Sequence, residues 1–264
     1  MHHLEAPDKV EFERLYQQSV LKRSEVFIKL HEFYIIINKE LHHESIELEW
    51  LIEEFAKNEF YKALHLKINH ALKSLVMINF YESKIKSDEN WMNDHFKVFP
   101  EYDKDDFGPK LWFDYFSDNF FIQISSSFDL IGHILNNLLR LKHLKPDFES
   151  VINCLNQKSI NKMYGKRTSL LFKTIKKKVE NQITSDPDFK KFKIIRNDAI
   201  HNLTYSYPFN KTFHIIDENN KIIESSVTPT YIKATERIEI INSLSNLFIK
   251  TLDIFITDLT FNQK

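Results

Sequence analysis

Only three glycines, Gly108, Gly132 and Gly165, occur in 264 residues, and they stand far apart. Backbone that turns tightly, or passes close to a phosphate, uses glycine because the missing Cβ opens conformations other residues resist. A dinucleotide fingerprint or a P-loop needs several glycines within a few positions, so both of those nucleotide-enzyme classes are excluded. A fold built of many short strands also needs turn residues at about every ten positions. This chain, with seven prolines besides its three glycines, is directed towards helices instead.

The length fits one large domain or two small ones. A single cysteine, Cys154, rules out an intrachain disulfide and a cysteine-based zinc site within one chain, which fits a reducing, cytoplasmic compartment. Residues 1–30 lack the basic-then-apolar pattern of a signal peptide, and the apolar runs are short and interrupted, so neither secretion nor a membrane partner is expected. The glycosylation-like tripeptides at Asn202 and Asn210 carry no meaning in that context. Charge excludes a global field: 36 basic against 37 acidic residues leave a formal net of -1. Locally it is uneven. Residues 1–60 carry thirteen acidic and seven basic side chains, a net of -6, whereas residues 157–196 carry twelve basic and three acidic, a net of +9. Lys173, Lys177, Lys190, Lys191 and Lys193 belong to that basic stretch, which reads either as a phosphate-binding footprint for RNA or as a solvated helix face.

Hydrophobic periodicity sets the expected elements. A helical pattern opens at Asp8, a candidate cap, and runs through Val10, Leu15, Leu21, Phe27, Leu30 and Phe33. A second helix is expected over 45–81. Residues 83–110 break the pattern with Pro100, Gly108 and Pro109 and read as a loop with a short helix near Trp91. The break suggests an N-terminal helical region over 1–105 and a second helical domain over 106–264. A long helix is expected over 112–144, with Phe121, Ile124, Phe128, Ile131, Leu135 and Leu138 as its buried seam and Pro146 as its terminator. Shorter helices are expected over 147–156, 168–183 and 187–201, the last opened by an Asp186-Pro187 cap-then-N1 pair. The period then changes to that of two strands, 212–217 and 221–228, before a last helix over 229–259. The fold class is therefore mainly α, with one β-hairpin before the last helix.

One segment carries a chemical signature. In Arg196-Asn197-Asp198-Ala199-Ile200-His201 an arginine is followed at once by a polar residue and, after four intervening residues, by a histidine. This resembles the motif of the HEPN superfamily, in which Arg, four to six residues and His close a helix of a small helical bundle. The hairpin and the stretch Phe121–Asp129 resemble most the Cthe_2314-like branch. The resemblance covers about residues 106–264 and leaves the N-terminal helices as an extension. It implies a HEPN-like bundle that acts as a homodimer, its two motifs facing across a cleft. It further implies a metal-independent endoribonuclease with a toxin or anti-phage role, and an antitoxin or a nucleotidyltransferase as partner. Some members carry a tyrosine two residues after the histidine for modification by that enzyme. Leu203 stands there in this chain and the nearest tyrosine is Tyr205, which puts that form of regulation in doubt.

The chemistry is consistent with those residue types. RNA is cleaved without metal when its 2′-OH attacks the adjacent phosphorus, which requires a base, an acid and positive charge on the transition state. His201 suits general acid or base work because imidazole titrates near neutrality. Arg196 suits the phosphoryl oxygens because its planar fork stays protonated and bonds them in pairs. Asn197 is placed to orient either group. Positions five apart on a regular helix point about 140° apart, so a helix end or kink at His201, with Asn202 as cap, is expected. One chain supplies one such histidine, and a twofold partner supplies the second. Asp129 and His133, one turn after Ser125 and Ser126, are second candidates that flank the motif; the competing reading is an ordinary wet stripe with Asn119, Gln123, Ser126, Asn137 and Arg140. In a purely structural reading Arg196 pairs with Asp198 or Asp188 and does nothing more. No cofactor and no metal site is expected: His42-His43 and the His65/His70 pair lack ligand spacing. The alternative function is a non-catalytic helical module that binds RNA or protein.

Overall fold

The computed structural model describes residues 5–19, 21–40, 47–85, 104–139, 141, 145–155, 158–201, 210–216, 222–229 and 232–260; side chains are described in 5–19, 21–36, 58–85, 108–137, 139, 141, 145–155, 169–197 and 232–259. The helices are α1 (Lys9–Gln18), α2 (Arg23–Glu40), α3 (Glu47–Glu82), α4 (Lys104–Leu138), α5 (Phe148–Cys154), α6 (Lys158–Val179), α7 (Pro187–His201) and α8 (Ala234–Thr260). A five-residue π turn, Glu180–Thr184, extends α6. Between α7 and α8 lie two antiparallel strands, Asn210–Ile216 and Ile222–Pro229, paired from Asn210 with Pro229 to Ile216 with Ile222. The chain is mainly α.

The first helical run is two helices. Asp8 does cap α1, its Oδ1 accepting from the Glu11 N–H at 2.8 Å, but α1 stops at Ser19, which adopts extended backbone. The buried set explains the break. Leu15, Leu21 and Val26 are six and five residues apart and cannot share one helical face, whereas Val26, Leu30 and Phe33 can. Val10, expected in the apolar stripe, is 78% exposed.

α3 and α4 are the longest pair and pack along each other. α3 buries Leu64, Ile68, Leu72, Leu75 and Val76, and α4 buries Phe121, Ile124, Phe128, Ile131 and Leu135, the expected seam. At the end of α3, buried Tyr81 donates its hydroxyl to the Glu5 carbonyl. Burial, with the Glu5 carboxylate adding to it, pushes this phenol up to about 12. The bounds of α4 differ from expectation at both ends. It begins eight residues before Trp112, with Pro109 inside it, and ends well short of Pro146. That proline instead precedes Asp147, the N-cap of α5, whose side chain accepts from the Ser150 N–H at 3.0 Å. α6 likewise begins ten residues before the expected Thr168. The Trp91 region lies outside the described residues.

A buried ionic cluster holds the early part of α4. Lys110, Asp114 and Asp118 stand four apart on one face. Lys110 Nζ lies 2.7 Å from both Asp114 oxygens, and Arg237 of α8 donates to Asp114 at 3.2 Å and to Asp118 at 2.9 Å. Arg237 is 0% and Lys110 1% exposed. Burial pushes the Asp114 carboxyl up against the pull of the two cations beside it. Among the described residues the two cations and two carboxylates balance in charge, which is the arrangement buried ions require. That tertiary fit overrides the poor helix propensity of Gly108 and Pro109.

α8 closes the core. Ile241, Leu244, Phe248, Leu252 and Phe255 are buried, and the helix meets α2, α4, α6 and α7. Phe255 packs edge-on to Phe33, and Phe248 edge-on to Phe128 at 5.4 Å. By length and composition Ala234–Leu259 is apolar enough to cross a membrane, contrary to expectation, but 56% of its apolar 18-residue stretch is buried inside the bundle.

Candidate active site

α7 is docked by aromatic residues and positions its motif at the edge of that contact. Phe189, Phe192 and Ile195 are buried. Phe189 meets Phe128 at 5.3 Å and Phe192 meets Phe121 at 6.1 Å, so α7 lies along α4. Arg196, one residue beyond this buried face, reaches back over α4. Its Nε donates to Ser125 Oγ at 2.8 Å, Nη1 to Asn197 Oδ1 at 2.8 Å, and Nη2 to Asp129 Oδ2 at 3.2 Å. Ser125 and Asp129 are four apart on α4 and so present one face. The guanidinium has five N–H donors; three are engaged here and two remain for a ligand among the described residues.

Asp129 does a second job. Its Oδ1 accepts from the Phe148 N–H at 3.2 Å, the first residue of α5, satisfying one of the N–H groups that a helix start leaves without partners. Gly132, one turn on, makes this approach feasible. A Cβ there would stand 3.0 Å from Phe148 N, Phe148 Cα and Pro146 O, all backbone. The glycine therefore sets how closely α5 rides on α4, and through Asp129 where the guanidinium rests.

The sequence candidates separate accordingly. Arg196, Asn197 and Asp129 come together, with Ser125 as the fourth member. Arg196 pairs with Asp129 of α4, not with the Asp188 of the structural reading. His133 does not join them: its ring stacks on Phe60 of α3 at 5.1 Å. The expected wet stripe is covered in part by α3, since Asn119 donates to Ser74 at 2.7 Å and Gln123 to Asn119 at 3.1 Å. The side chains of Asp198 and His201, and Arg140, lie outside the described residues. The backbone of α7 is helical through His201, so position 201 falls one turn after 197 on the same face. Asn197 thus stands between Arg196, which it bonds, and the position of the histidine. The regular-helix objection of about 140° is met by the arginine reaching sideways to Asn197.

The lysines divide as well. Lys193 pairs with Glu149 at 2.6 Å and Lys191 with Glu236 of α8. Lys173, Lys177 and Lys190 are exposed and have no carboxylate partner among the described residues. Lys190 and Lys193 line a cleft of about 210 Å³ with Glu149, Asn153, Glu180 and Thr184, at the π turn. Sequence reasoning missed the Lys110–Asp114–Arg237–Asp118 cluster. Its signal was present: charges repeated every fourth residue on an otherwise apolar helix. Cys154 is buried, as a small core residue would be.

A family model described as Cthe2314-like HEPN matches residues 60–260. The match starts inside α3, earlier than the expected 106. No curated protein and no solved structure matches.

Proposed function

The chain belongs to the Cthe2314-like HEPN family, and from that premise we propose that it is a metal-independent endoribonuclease acting as a homodimer, with a toxin or anti-phage role. The observation that carries this reading is the held guanidinium of Arg196, fixed by Ser125, Asn197 and Asp129 with two N–H donors to spare among the described residues. A pre-positioned cation costs no reorganisation when charge develops on the phosphorane, so it stabilises that state more than the ground state. His201 takes the proton from the 2′-OH or gives one to the leaving 5′-oxygen. The P–O5′ bond breaks as the O2′–P bond forms, leaving a 2′,3′-cyclic phosphate and a 5′-hydroxyl. Asn197 orients Arg196 towards the side of the helix that carries His201. A second chain supplies the opposite proton-transfer group. Lys173, Lys177 and Lys190, along α6 and α7, hold RNA.

One observation favours a second reading, a non-catalytic RNA- or protein-binding module: Asp129 already neutralises Arg196. Incubating purified protein with total RNA in excess EDTA, beside a folded His201→Ala variant, decides between them. Cleavage by the wild type alone, with 2′,3′-cyclic phosphate ends, is expected. RNA bound but uncut by both proteins would leave the module.

A further inference from the structure

The elbow between α1 and α2 carries an open pocket of about 750 Å³, lined by Tyr16, Lys22, Arg23, Phe27, Ile28 and His31 among others. Small-molecule sites run to about 300–1,000 Å³ and combine an apolar wall with a few polar groups. Here the wall is aromatic and backed. Phe27 stacks on His65 of α3 at 3.9 Å and 19°, and His65 in turn meets Tyr61 at 6.2 Å. Burial and the neighbouring Arg23 lower the His65 pKa, so this backing ring is uncharged near neutrality. Ile28 is 58% exposed, an apolar side chain with nothing over it among the described residues. A second cavity of about 420 Å³ shares Tyr16 and Arg23 and adds Phe12, Lys9 and Lys73.

Charge selects the occupant. The two cavities together present Lys9, Lys22, Arg23 and Lys73 against Glu13 and Glu32, four cations to two carboxylates. Three of these cations, Lys9, Lys22 and Arg23, lie in a stretch, 1–60, whose net charge is -6, and Lys73 joins them from α3. Neither Lys22 nor Arg23 has a carboxylate partner among the described residues; the Arg23 guanidinium sits 5.7 Å from the Phe27 ring centre. Aromatic faces accept a flat ring, and an arginine over such a face adds cation–π attraction. A guanidinium beside an ammonium suits a phosphate.

We propose that this elbow binds a small phosphomonoester that carries a flat aromatic ring, the ring lying along Tyr16 and Phe27 and the phosphate on Lys22 and Arg23. A free nucleotide and a phosphotyrosine side chain share that chemistry. The cavity lies on α1 and α2, ahead of the 60–260 stretch that carries the family match, and α2 packs on α8.

Isothermal titration of the full chain with AMP, O-phosphotyrosine, adenosine and inorganic phosphate tests the proposal. AMP or O-phosphotyrosine should bind at least tenfold tighter than adenosine or inorganic phosphate; which of the two binds identifies the source. Arg23→Gln and Lys22→Gln, both on exposed side chains, should each weaken binding about tenfold, the size of one charge-assisted contact. Arg196→Gln should leave it unchanged. No binding by either AMP or O-phosphotyrosine, equal binding by the Arg23→Gln variant, or loss in Arg196→Gln instead would each overturn the assignment. Because the titration reads binding without cleavage, failure of the nuclease reading leaves this result intact.

Discussion

Replacing Asp129 by Asn separates the two tasks of that residue. Asparagine keeps an oxygen for the Phe148 N–H and removes the charge that faces Arg196. Both partners are about one-third exposed, 29% and 32%, so the pair falls between a buried charged hydrogen bond, at about 1.5–3 kcal/mol, and an exposed ion pair, at about 0–1 kcal/mol. A coupling of about 1 kcal/mol follows from that position between the two. A double-mutant cycle of Asp129→Asn and Arg196→Gln, read by urea denaturation, measures it. A fold with stability of about 5–15 kcal/mol stays folded after such a loss. Cleavage responds on another scale. Removing a cation aimed at the transition state costs about 10²–10³ in kcat, so Arg196→Gln should be nearly inactive though folded. Asp129→Asn, which only lets the guanidinium drift, should lower kcat about 10–10² with KM little changed. Coupling below about 0.3 kcal/mol, the level at which independent sites add, would refute the clamp. So would full activity in Asp129→Asn.

Four further outcomes are expected. Gly132→Ala gains about 1 kcal/mol of helix propensity but forces a Cβ against the Phe148 and Pro146 backbone at 3.0 Å, an overpacking cost of about 1–3 kcal/mol; denaturation should show a net loss, and a more stable variant would contradict the close approach of α5. Arg237→Ala leaves Asp114 and Lys110 buried beside a broken set and should cost about 3–5 kcal/mol, which thermal unfolding will show; a change under about 1 kcal/mol would mean the cluster is not closed by Arg237. Tyr81 has a folded pKa of about 12 against 10.0, so the native state holds that proton longer: its contribution is full below pH 10.0, is lost as pH rises through about 12, and amounts to at most about 3 kcal/mol. Alkaline denaturation should therefore be less steep in that window for Tyr81→Phe than for the wild type, and an unchanged slope would count against the buried phenol. Lys173→Gln, Lys177→Gln and Lys190→Gln should each reduce the slope of log K against log salt for single-stranded RNA by about 0.7; slopes equal to wild type would remove these lysines from the RNA path.

How far the sequence could be read depended on where the determining contacts lie. α7 was legible from Pro187 to His201 because its punctuation, Asp186-Pro187, is local; Asp186 Oδ1 indeed accepts from the Asp188 N–H at 2.9 Å. The α4 and α8 seams were legible because one face repeats every three to four residues over several turns. The break at Ser19 and the early start of α4 were not. Each is decided by distant packing: Leu21 turning into the core, and Arg237 arriving from α8 to complete the charges of α4. In the candidate site, Arg196 and Asn197 are neighbours and stood out together. Asp129 lies 67 residues away from Arg196, and a single sequence carries no signal that pairs one aspartate among many with one arginine. Gly132 was visible as a rare residue, but its task is a distance to Pro146 and Phe148 that only the folded chain defines.

The placement of α8 gives the ribosome a part in the story. Synthesis proceeds from the N-terminus at about 5–20 residues per second, and α8 follows the other described helices in chain order. Until residues 234–260 have emerged, α2, α4, α6 and α7 lack the surface they share, Phe33 and Phe128 lack the rings of Phe255 and Phe248, and Asp114 lacks Arg237. A nascent chain at that stage holds its Arg196 motif on a helix with no finished bundle behind it. Translation thereby orders assembly: α8 arrives after the helices it joins, and a chain cut before residue 234 lacks the Arg237 cation that bonds Asp114 and Asp118.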